Sequence, residues 1–248
     1  MNNDMHLGRY ENVISLGYFC GVAIELEKMG LRNQSYPFDW LITANFEKVL
    51  EFIENGFVGF LEYDNLYQEA SVYHQYYFDA VNNIHFYHDF SQYASLKEQF
   101  AEVKAKYARR IARFYETIKK PTVFVRYCNS LDEVNFILRN FDRIENTIKS
   151  FNENNVILYF CSHKLTVANN KTNIYYVKSK DDVISQCSDL KKALLSSVVC
   201  ENKKNNLRKY KKARRARLWR KVKRIVDQKL AKFLKIKSKR IYNHDKQV

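Results

Sequence analysis

Two short apolar runs, TVFVR at residues 122–126 and VILYFC at residues 156–161, decide the predicted fold. Each run is short and almost free of polar residues, which is typical of strands that are covered on both faces of a parallel sheet. Apolar residues recur at helical spacing before the first run, at about 95–118, and between the two runs, at about 131–150. The alternation predicts an α/β fold with a mostly parallel sheet flanked by helices.

The same reading extends to the rest of the first 200 residues. It predicts further strands at 12–16, 83–87 and 173–177, and further helices at 20–30, 45–55 and about 181–198. Between Gly56 and Phe90 the chain is unusually rich in Phe and Tyr, which predicts an aromatic-rich insertion. These rings are expected to pack against the sheet, to line a substrate cleft, or to do both at different positions.

The charge is distributed unevenly along the 248 residues. The whole chain carries a net charge of +15, but residues 203–248 contain 20 Lys or Arg against Asp227 and Asp245, a balance of +18. The remainder is therefore mildly acidic. This asymmetry predicts an α/β domain over residues 1–201 and a basic helical tail over residues 202–248.

The beginning of the chain and its cysteines predict the compartment. MNNDMHLGRY has neither a basic n-region nor an apolar h-region, and no window approaches the roughly 18 apolar residues that span a bilayer. The five cysteines form no CxxC pair and are odd in number, which argues against a disulfide scaffold. We therefore expect a cytoplasmic protein.

The stretch SLGYFC, residues 15–20, predicts a cysteine at the start of a helix. Unpaired backbone N–H groups and the helix dipole favour a thiolate there and supply an oxyanion hole, so Cys20 is the candidate nucleophile. Gly17 and Gly21 would let substrate approach the backbone. The competing interpretation is that Cys20 is a small buried residue at a strand–helix junction.

A cysteine nucleophile needs a base, and His88 is the preferred candidate. It follows a predicted strand, where the active-site loops of α/β sheets gather, whereas His85 lies nearer the strand interior. A third group is expected to orient the imidazole. Asp39 in SYPFDW and Asp89 beside His88 are both candidates, and the sequence leaves the choice open.

Three arginines are candidates for binding a substrate carboxylate or phosphate. Arg110 and Arg113 share one face of the helix at about 95–118, and Arg126 ends an apolar strand. A solvated basic face is the alternative for the two helical arginines. Cys161 and His163 form a weaker possible dyad, and the sequence contains no nucleotide-binding or paired metal-ligand motif, so no cofactor and no metal are predicted.

SLGYFC, SYPFDW, NIHFYHDF, the RRIARF helix and the VFVRY strand together resemble a bacterial family of unknown function labelled as papain-like cysteine peptidases. The resemblance covers roughly residues 11–200. It implies Cys20 as nucleophile and His88 as base, with Asp39, Asp89 and the arginines in the same site. It also suggests a link to cell-surface polysaccharide biosynthesis. A papain-like α+β fold is the alternative that the label implies, and the strand–helix alternation favours α/β.

The basic tail reads as an amphipathic helix over residues 207–240. Apolar residues recur near helical spacing with Lys and Arg elsewhere, a pattern that suits the interface of an anionic membrane. Nucleic acid is a rival partner and a solvated extension is a third possibility.

The predicted function is a cysteine-nucleophile hydrolase or an acyl-type transferase, peripheral on the inner face of the membrane, with a small-molecule, glycan or peptide substrate. The alternatives are a non-catalytic binding protein for an anionic glycan precursor and a nucleic-acid binder led by the tail.

Overall fold

The computed structural model describes residues 8–70, 75–165, 171, 173–199 and 203–244. The chain divides into two compact units, Met1–Asn206 and Leu207–Val248, which are described separately. The strands are β1 (Asn12–Ser15), β2 (Ile42–Thr43), β3 (Leu66–Ala70), β4 (Gln75–Asp79), β5 (Ile84–Phe86), β6 (Thr122–Cys128), β7 (Val156–Ser162) and β8 (Ile174–Val177). The helices are α1 (Gly21–Lys28), α2 (Phe46–Asn55), α3 (Leu96–Ile118), α4 (Leu131–Arg139), α5 (Phe141–Lys149), α6 (Ser188–Ser197) and α7 (Lys203–His244).

One sheet is parallel throughout, in the order β1-β6-β7-β8. Every residue of β6 is buried, as the apolar run in this strand predicts. Val22 and Leu26 of α1 and Leu194 of α6 pack on one face of the sheet, and residues of α2 to α5 pack on the other. The α/β prediction is confirmed, and the carboxyl ends of four parallel strands meet at one edge.

The aromatic-rich insertion forms a second sheet that the sequence pattern did not reveal. Its strands are antiparallel, in the order β2-β5-β4-β3. The predicted strand at 83–87 is thus β5 of this sheet. Tyr77 and Phe86 are register partners and are buried, whereas Phe78 and His85 pair on the opposite, partly exposed face. The aromatic residues therefore divide by strand alternation between core and outer surface.

Two predicted helices differ from the structure for local reasons. The helix expected at 131–150 is interrupted at Asn140, which ends α4 and precedes α5, and whose side-chain amide donates to the Phe136 carbonyl at 2.9 Å. The helix expected from 181 begins at Ser188. The buried Glu25 carboxylate accepts the backbone N–H groups of Ile184 and Ser185, and this fixes a 3-10 turn in place of the first helical turns.

Helix α7 is one continuous element, and its charge is strongly positive throughout. Four apolar side chains among its described ones are strongly solvent-exposed: Leu218 by 62%, Trp219 by 66%, Ile225 by 42% and Val226 by 55%. Across the part of the chain that the structure describes, no helix combines the length and apolar character that crossing a membrane requires.

Candidate active site

A pocket of about 210 Å³ lies where the second sheet meets the carboxyl edge of the parallel sheet. The β1–α1 loop, the loop before β2, the loop after β5 and the loop after β8 contribute its walls. The lining residues are Tyr18, Phe19, Cys20, Trp40, Ile42, Tyr87, His88 and Lys180. The structure thus brings the predicted nucleophile and the predicted base, separated by 68 positions in the sequence, to one pocket.

The loop that delivers Cys20 has an unusual backbone. Gly17 has a φ of +86° and Tyr18 a φ of +61°, so two successive residues are left-handed, and for tyrosine this conformation is costly. Thr43 holds the loop: its hydroxyl accepts the Tyr18 N–H at 3.1 Å, and its own N–H donates to the Tyr18 carbonyl at 2.9 Å. Strained loops of this kind cluster at functional sites.

Gly17 serves the loop rather than a substrate. A Cβ at this position would lie 2.7 Å from the Thr43 hydroxyl and 3.4 Å from the Arg126 guanidinium. Gly21 also lies against a side chain of the protein, since a Cβ there would lie 2.3 Å from the Phe19 ring. The groups that lie close to both glycines belong to the protein, whereas the prediction was a close approach by substrate.

Arg126 is fully buried and does not line the pocket, which corrects the predicted contact with substrate. Its guanidinium donates to Glu133 at 2.8 and 2.5 Å, to the Leu16 carbonyl at 2.9 Å, and to the hydroxyl and carbonyl of Thr43 at 2.7 and 2.6 Å. The physical reason is that Glu133, at the start of α4, neutralises the charge inside the protein. Arg126 therefore fixes the loop that carries Cys20.

Cys20 is the residue immediately before α1, so the first backbone N–H groups of that helix lie beside it. Burial raises the pKa of its thiol, while its own backbone N–H and the Lys180 ammonium lower it. The net direction is upward, contrary to the expectation that the helix terminus would dominate. Because Cys20 is half-buried, removal of water from the thiolate outweighs the favourable charges.

His88 is exposed at the rim of the pocket. Its ring packs edge-on against Trp40 and Tyr87, each with a centroid distance of 6.1 Å. Within the described residues no hydrogen bond joins its side chain to the Cys20 thiol, which has its own backbone N–H as a partner. His85 lies on the outer face of β5, stacked on Phe78 at 4.5 Å, and is not among the residues that line the pocket.

Neither candidate carboxylate orients His88. Asp39 is buried and bound to Arg32 at 2.9–3.0 Å and to the Tyr36 N–H at 2.9 Å. Burial raises the pKa of this carboxyl, and Arg32 is the main opposing influence. The Arg32 guanidinium also stacks on Trp40, 5.0 Å from the ring centroid, so Asp39 supports the pocket wall indirectly.

The Asp89 side chain points away from the pocket into the interface with α3. It accepts a hydrogen bond from the Tyr107 hydroxyl at 2.7 Å and pairs with Lys106 at 2.8 Å and with Arg110 at 3.4 Å. Its side chain is only 2% exposed. The predicted contact of Arg110 with substrate is corrected by this pairing, because Arg110 is directed to Asp89 within the fold and does not line the pocket.

Arg113 is also outside the pocket, which corrects the predicted substrate contact, because its terminal nitrogen donates to the Ser35 carbonyl at 3.0 Å. Cys161 is buried, and the side chain of His163 lies outside the described residues. Among those described residues, no group of three His, Cys, Asp or Glu side chains is placed to hold a metal ion.

Sequence reasoning missed Lys180, Tyr18 and Trp40, whereas Tyr87 belongs to the aromatic stretch for which a cleft wall was one of the expectations. Lys180 follows β8, at the same edge of the sheet as Cys20, and this position was the available signal. The aromatic walls form where the two sheets meet, and no local sequence pattern indicates that contact.

The fold and site define an α/β protein whose cysteine, at a helix start, shares an aromatic pocket with a histidine. A family model described as "Putative papain-like cysteine peptidase (DUF1796)" matches residues 11–164, and the chain belongs to this family. It is 35% identical over 133 residues to "Uncharacterized protein R408" of Acanthamoeba polyphaga mimivirus, covering 46% of this chain and 60% of that protein's length. No solved structure matches the chain.

Proposed function

We propose that the chain is a cysteine-nucleophile hydrolase or acyl transferase in which Cys20 attacks an acyl carbon and His88 moves the proton. The observation that carries the proposal is that Cys20, at the start of α1, and His88, at the end of the second sheet, line one pocket. The family to which the chain belongs supports the same chemistry.

The steps follow from the positions of the groups. His88 accepts the proton of the Cys20 thiol as the sulfur forms a bond to the acyl carbon. Negative charge then develops on the acyl oxygen, where the first backbone N–H groups of α1 stabilise it. His88 returns the proton to the leaving group as its bond to carbon breaks. Water or another nucleophile, deprotonated by His88, then attacks the acyl carbon; the carbon–sulfur bond breaks, and His88 returns that proton to the Cys20 sulfur.

The raised pKa of Cys20 fits this sequence of steps. Because burial favours the neutral thiol at rest, the nucleophile has to be activated by a base during the reaction. The absence of a hydrogen bond between Cys20 and His88 among the described residues is compatible with this role, since such contacts often tighten only when substrate is bound.

The walls of the pocket limit the substrate. Tyr18, Phe19, Trp40 and Tyr87 present aromatic rings beside the reactive sulfur. Flat or weakly polar faces, including those of sugar rings, suit such walls, and this supports a glycan-related substrate. A non-catalytic binding protein for an anionic glycan precursor would use the same walls without chemistry at Cys20.

Acylation of Cys20 by p-nitrophenyl acetate tests the nucleophile and its base. We expect peptide mass spectrometry to show an acetyl group on Cys20 that forms about 100-fold more slowly in His88→Ala, the lower end of typical general-base contributions. The rate should be unchanged in His85→Ala, because His85 lies on the outer face of β5 and outside the pocket lining.

Cys187 provides an internal control. It also precedes a helix and is half-buried, and burial raises its pKa, but it is not among the pocket residues. Equal rates at Cys20 and Cys187, or no effect of His88→Ala, would contradict the proposed chemistry and favour a binding protein.

For α7 we propose a second role, attachment to an anionic membrane surface from the cytoplasmic side. Leu218 and Ile225 lie seven positions apart and share one face of the helix, and both are exposed. An exposed apolar stripe on a helix of high positive charge suits the interface of an anionic bilayer better than nucleic acid, which uses the charge alone.

Vesicle sedimentation with the full chain tests this role. Binding to mixed phosphatidylserine and phosphatidylcholine vesicles should exceed binding to phosphatidylcholine alone. It should weaken about tenfold or more when Leu218→Ser and Ile225→Ser are combined, because apolar burial is lost while the charge is unchanged. Combined Val58→Ser and Val81→Ser, at exposed positions of the first unit, is the matched control. A nucleic-acid binder would instead prefer duplex DNA to vesicles and tolerate both pairs of substitutions.

A further inference from the structure

The permanent charge among the residues that line the pocket is positive. Of its eight lining residues, Lys180 carries a permanent positive charge, and none is an aspartate or glutamate. Within the described residues, Lys180 forms no ion pair with a carboxylate. Its ammonium lies 5.5 Å from the centroid of the ring of Phe19, the residue before Cys20, and it lowers the pKa of the Cys20 thiol against the opposing effect of burial.

The loop that carries Lys180 is held in place by a dense set of hydrogen bonds. The Gln186 side chain accepts the N–H groups of Lys178 and Ser179 and donates to the carbonyls of Ser179 and Asp181. Asp182 pairs with Lys28, the last residue of α1, at 2.7 Å. The loop is therefore fixed both to itself and to the helix that begins after Cys20.

An exposed cation on a well-anchored loop, without a carboxylate partner among the described residues, attracts anions to a neighbouring reactive sulfur. We propose that Lys180 forms an anion subsite, and that the substrate of Cys20 carries a carboxylate or phosphate group beside its reactive carbon. This inference rests on the proposed function, since it names the substrate class of the same pocket. The aromatic walls would hold the uncharged part of such a substrate.

A pair of alkylating reagents of the same size reads out the subsite directly. Iodoacetate is anionic and iodoacetamide is neutral, and both transfer their carbon to the Cys20 sulfur with loss of iodide. We expect the ratio of the iodoacetate rate to the iodoacetamide rate at Cys20 to fall about fivefold in Lys180→Gln, the size expected for one nearby charge in water-like surroundings. Any change in the thiol pKa affects both reagents equally and leaves the ratio unchanged.

Matched variants test whether a change in the ratio of the iodoacetate rate to the iodoacetamide rate is specific to Lys180. Lys180→Arg should preserve it, and Lys178→Gln, which removes an exposed lysine outside the pocket lining, should leave it unaltered. A ratio in Lys180→Gln equal to that of the unmodified protein would overturn the proposal. So would an equal fall in Lys178→Gln, because the effect would then belong to general surface charge.

A second measurement does not depend on Cys20 chemistry. The chain has two tryptophans, so Trp219→Phe leaves Trp40, which lines the pocket, as the only one. In that background we expect Lys180→Gln to lower the quenching of Trp40 fluorescence by iodide about twofold relative to quenching by neutral acrylamide. If Cys20 reacts with neither reagent in the folded protein, the proposed nucleophile fails and iodide quenching alone decides the anion subsite. An unchanged iodide-to-acrylamide ratio in that case overturns the subsite as well.

Discussion

Replacement of Glu133 by alanine is expected to lower the free energy of unfolding by about 3–5 kcal/mol, the usual cost of leaving one member of a buried ion pair alone. Arg126 is fully buried, and among the described residues Glu133 supplies the carboxylate bound to it. The second Glu133 oxygen also accepts the Asn129 N–H at 3.0 Å. Urea denaturation followed by circular dichroism measures the change.

The surface pair of Lys119 and Glu116 is the matched control, because its side chains are 61% and 74% exposed. Glu116→Ala should change stability by less than about 1 kcal/mol. The double variant Arg126→Met with Glu133→Leu should lose less than the sum of its single variants, since it leaves no unpaired charge. A loss below about 1 kcal/mol in Glu133→Ala would show that Arg126 does not depend on this carboxylate.

The parallel sheet could be predicted because its information is local. A strand buried on both faces must be continuously apolar, and β6 and β7 are such strands. The position of Cys20 could be predicted for the same reason, since a strand, a glycine turn and an amphipathic helix follow one another within SLGYFC and the residues after it. His88 was found because it follows a short strand.

The role of Arg126 was missed because a position at a strand end does not reveal whether a side chain is buried. Its partner Glu133 is only seven residues away, in the first turn of the next helix, but spacing alone does not distinguish a buried pair from two solvated charges. The antiparallel sheet was missed for another reason. Its aromatic residues alternate between core and outer face, and a high aromatic content conceals that period.

Lys180 and Trp40 depend on long-range packing. They reach the pocket from loops that are 140 positions apart. Lys180 follows β8 at the same edge of the parallel sheet as Cys20, whereas Trp40 precedes β2 and reaches the pocket through the contact between the two sheets. The sequence also left open whether Asp39 or Asp89 orients His88. The structure gives both carboxylates other partners: Arg32 and the Tyr36 N–H for Asp39, and three side chains of α3 for Asp89.

Asp89 is expected to stabilise the fold without assisting the chemistry. In Asp89→Ala the buried Tyr107 hydroxyl loses its acceptor and Arg110 loses its counter-charge, which should cost about 3 kcal/mol of unfolding free energy. Asp89→Asn keeps an acceptor for Tyr107 and should be less destabilising.

The conservative variant separates the two roles of Asp89. If the carboxylate oriented the His88 imidazole, Asp89→Asn would slow acetylation of Cys20 by p-nitrophenyl acetate strongly, as the loss of an orienting carboxylate does in triads. Because the side chain faces α3, we expect the acetylation rate to stay within about twofold while the urea midpoint falls. If Cys20 were acetylated slowly in Asp89→Asn while the stability stayed unchanged, Asp89 would have to be counted among the residues of the site. That result would require the loop after β5 to rearrange so that the carboxylate exchanges Tyr107 and Lys106 for the imidazole.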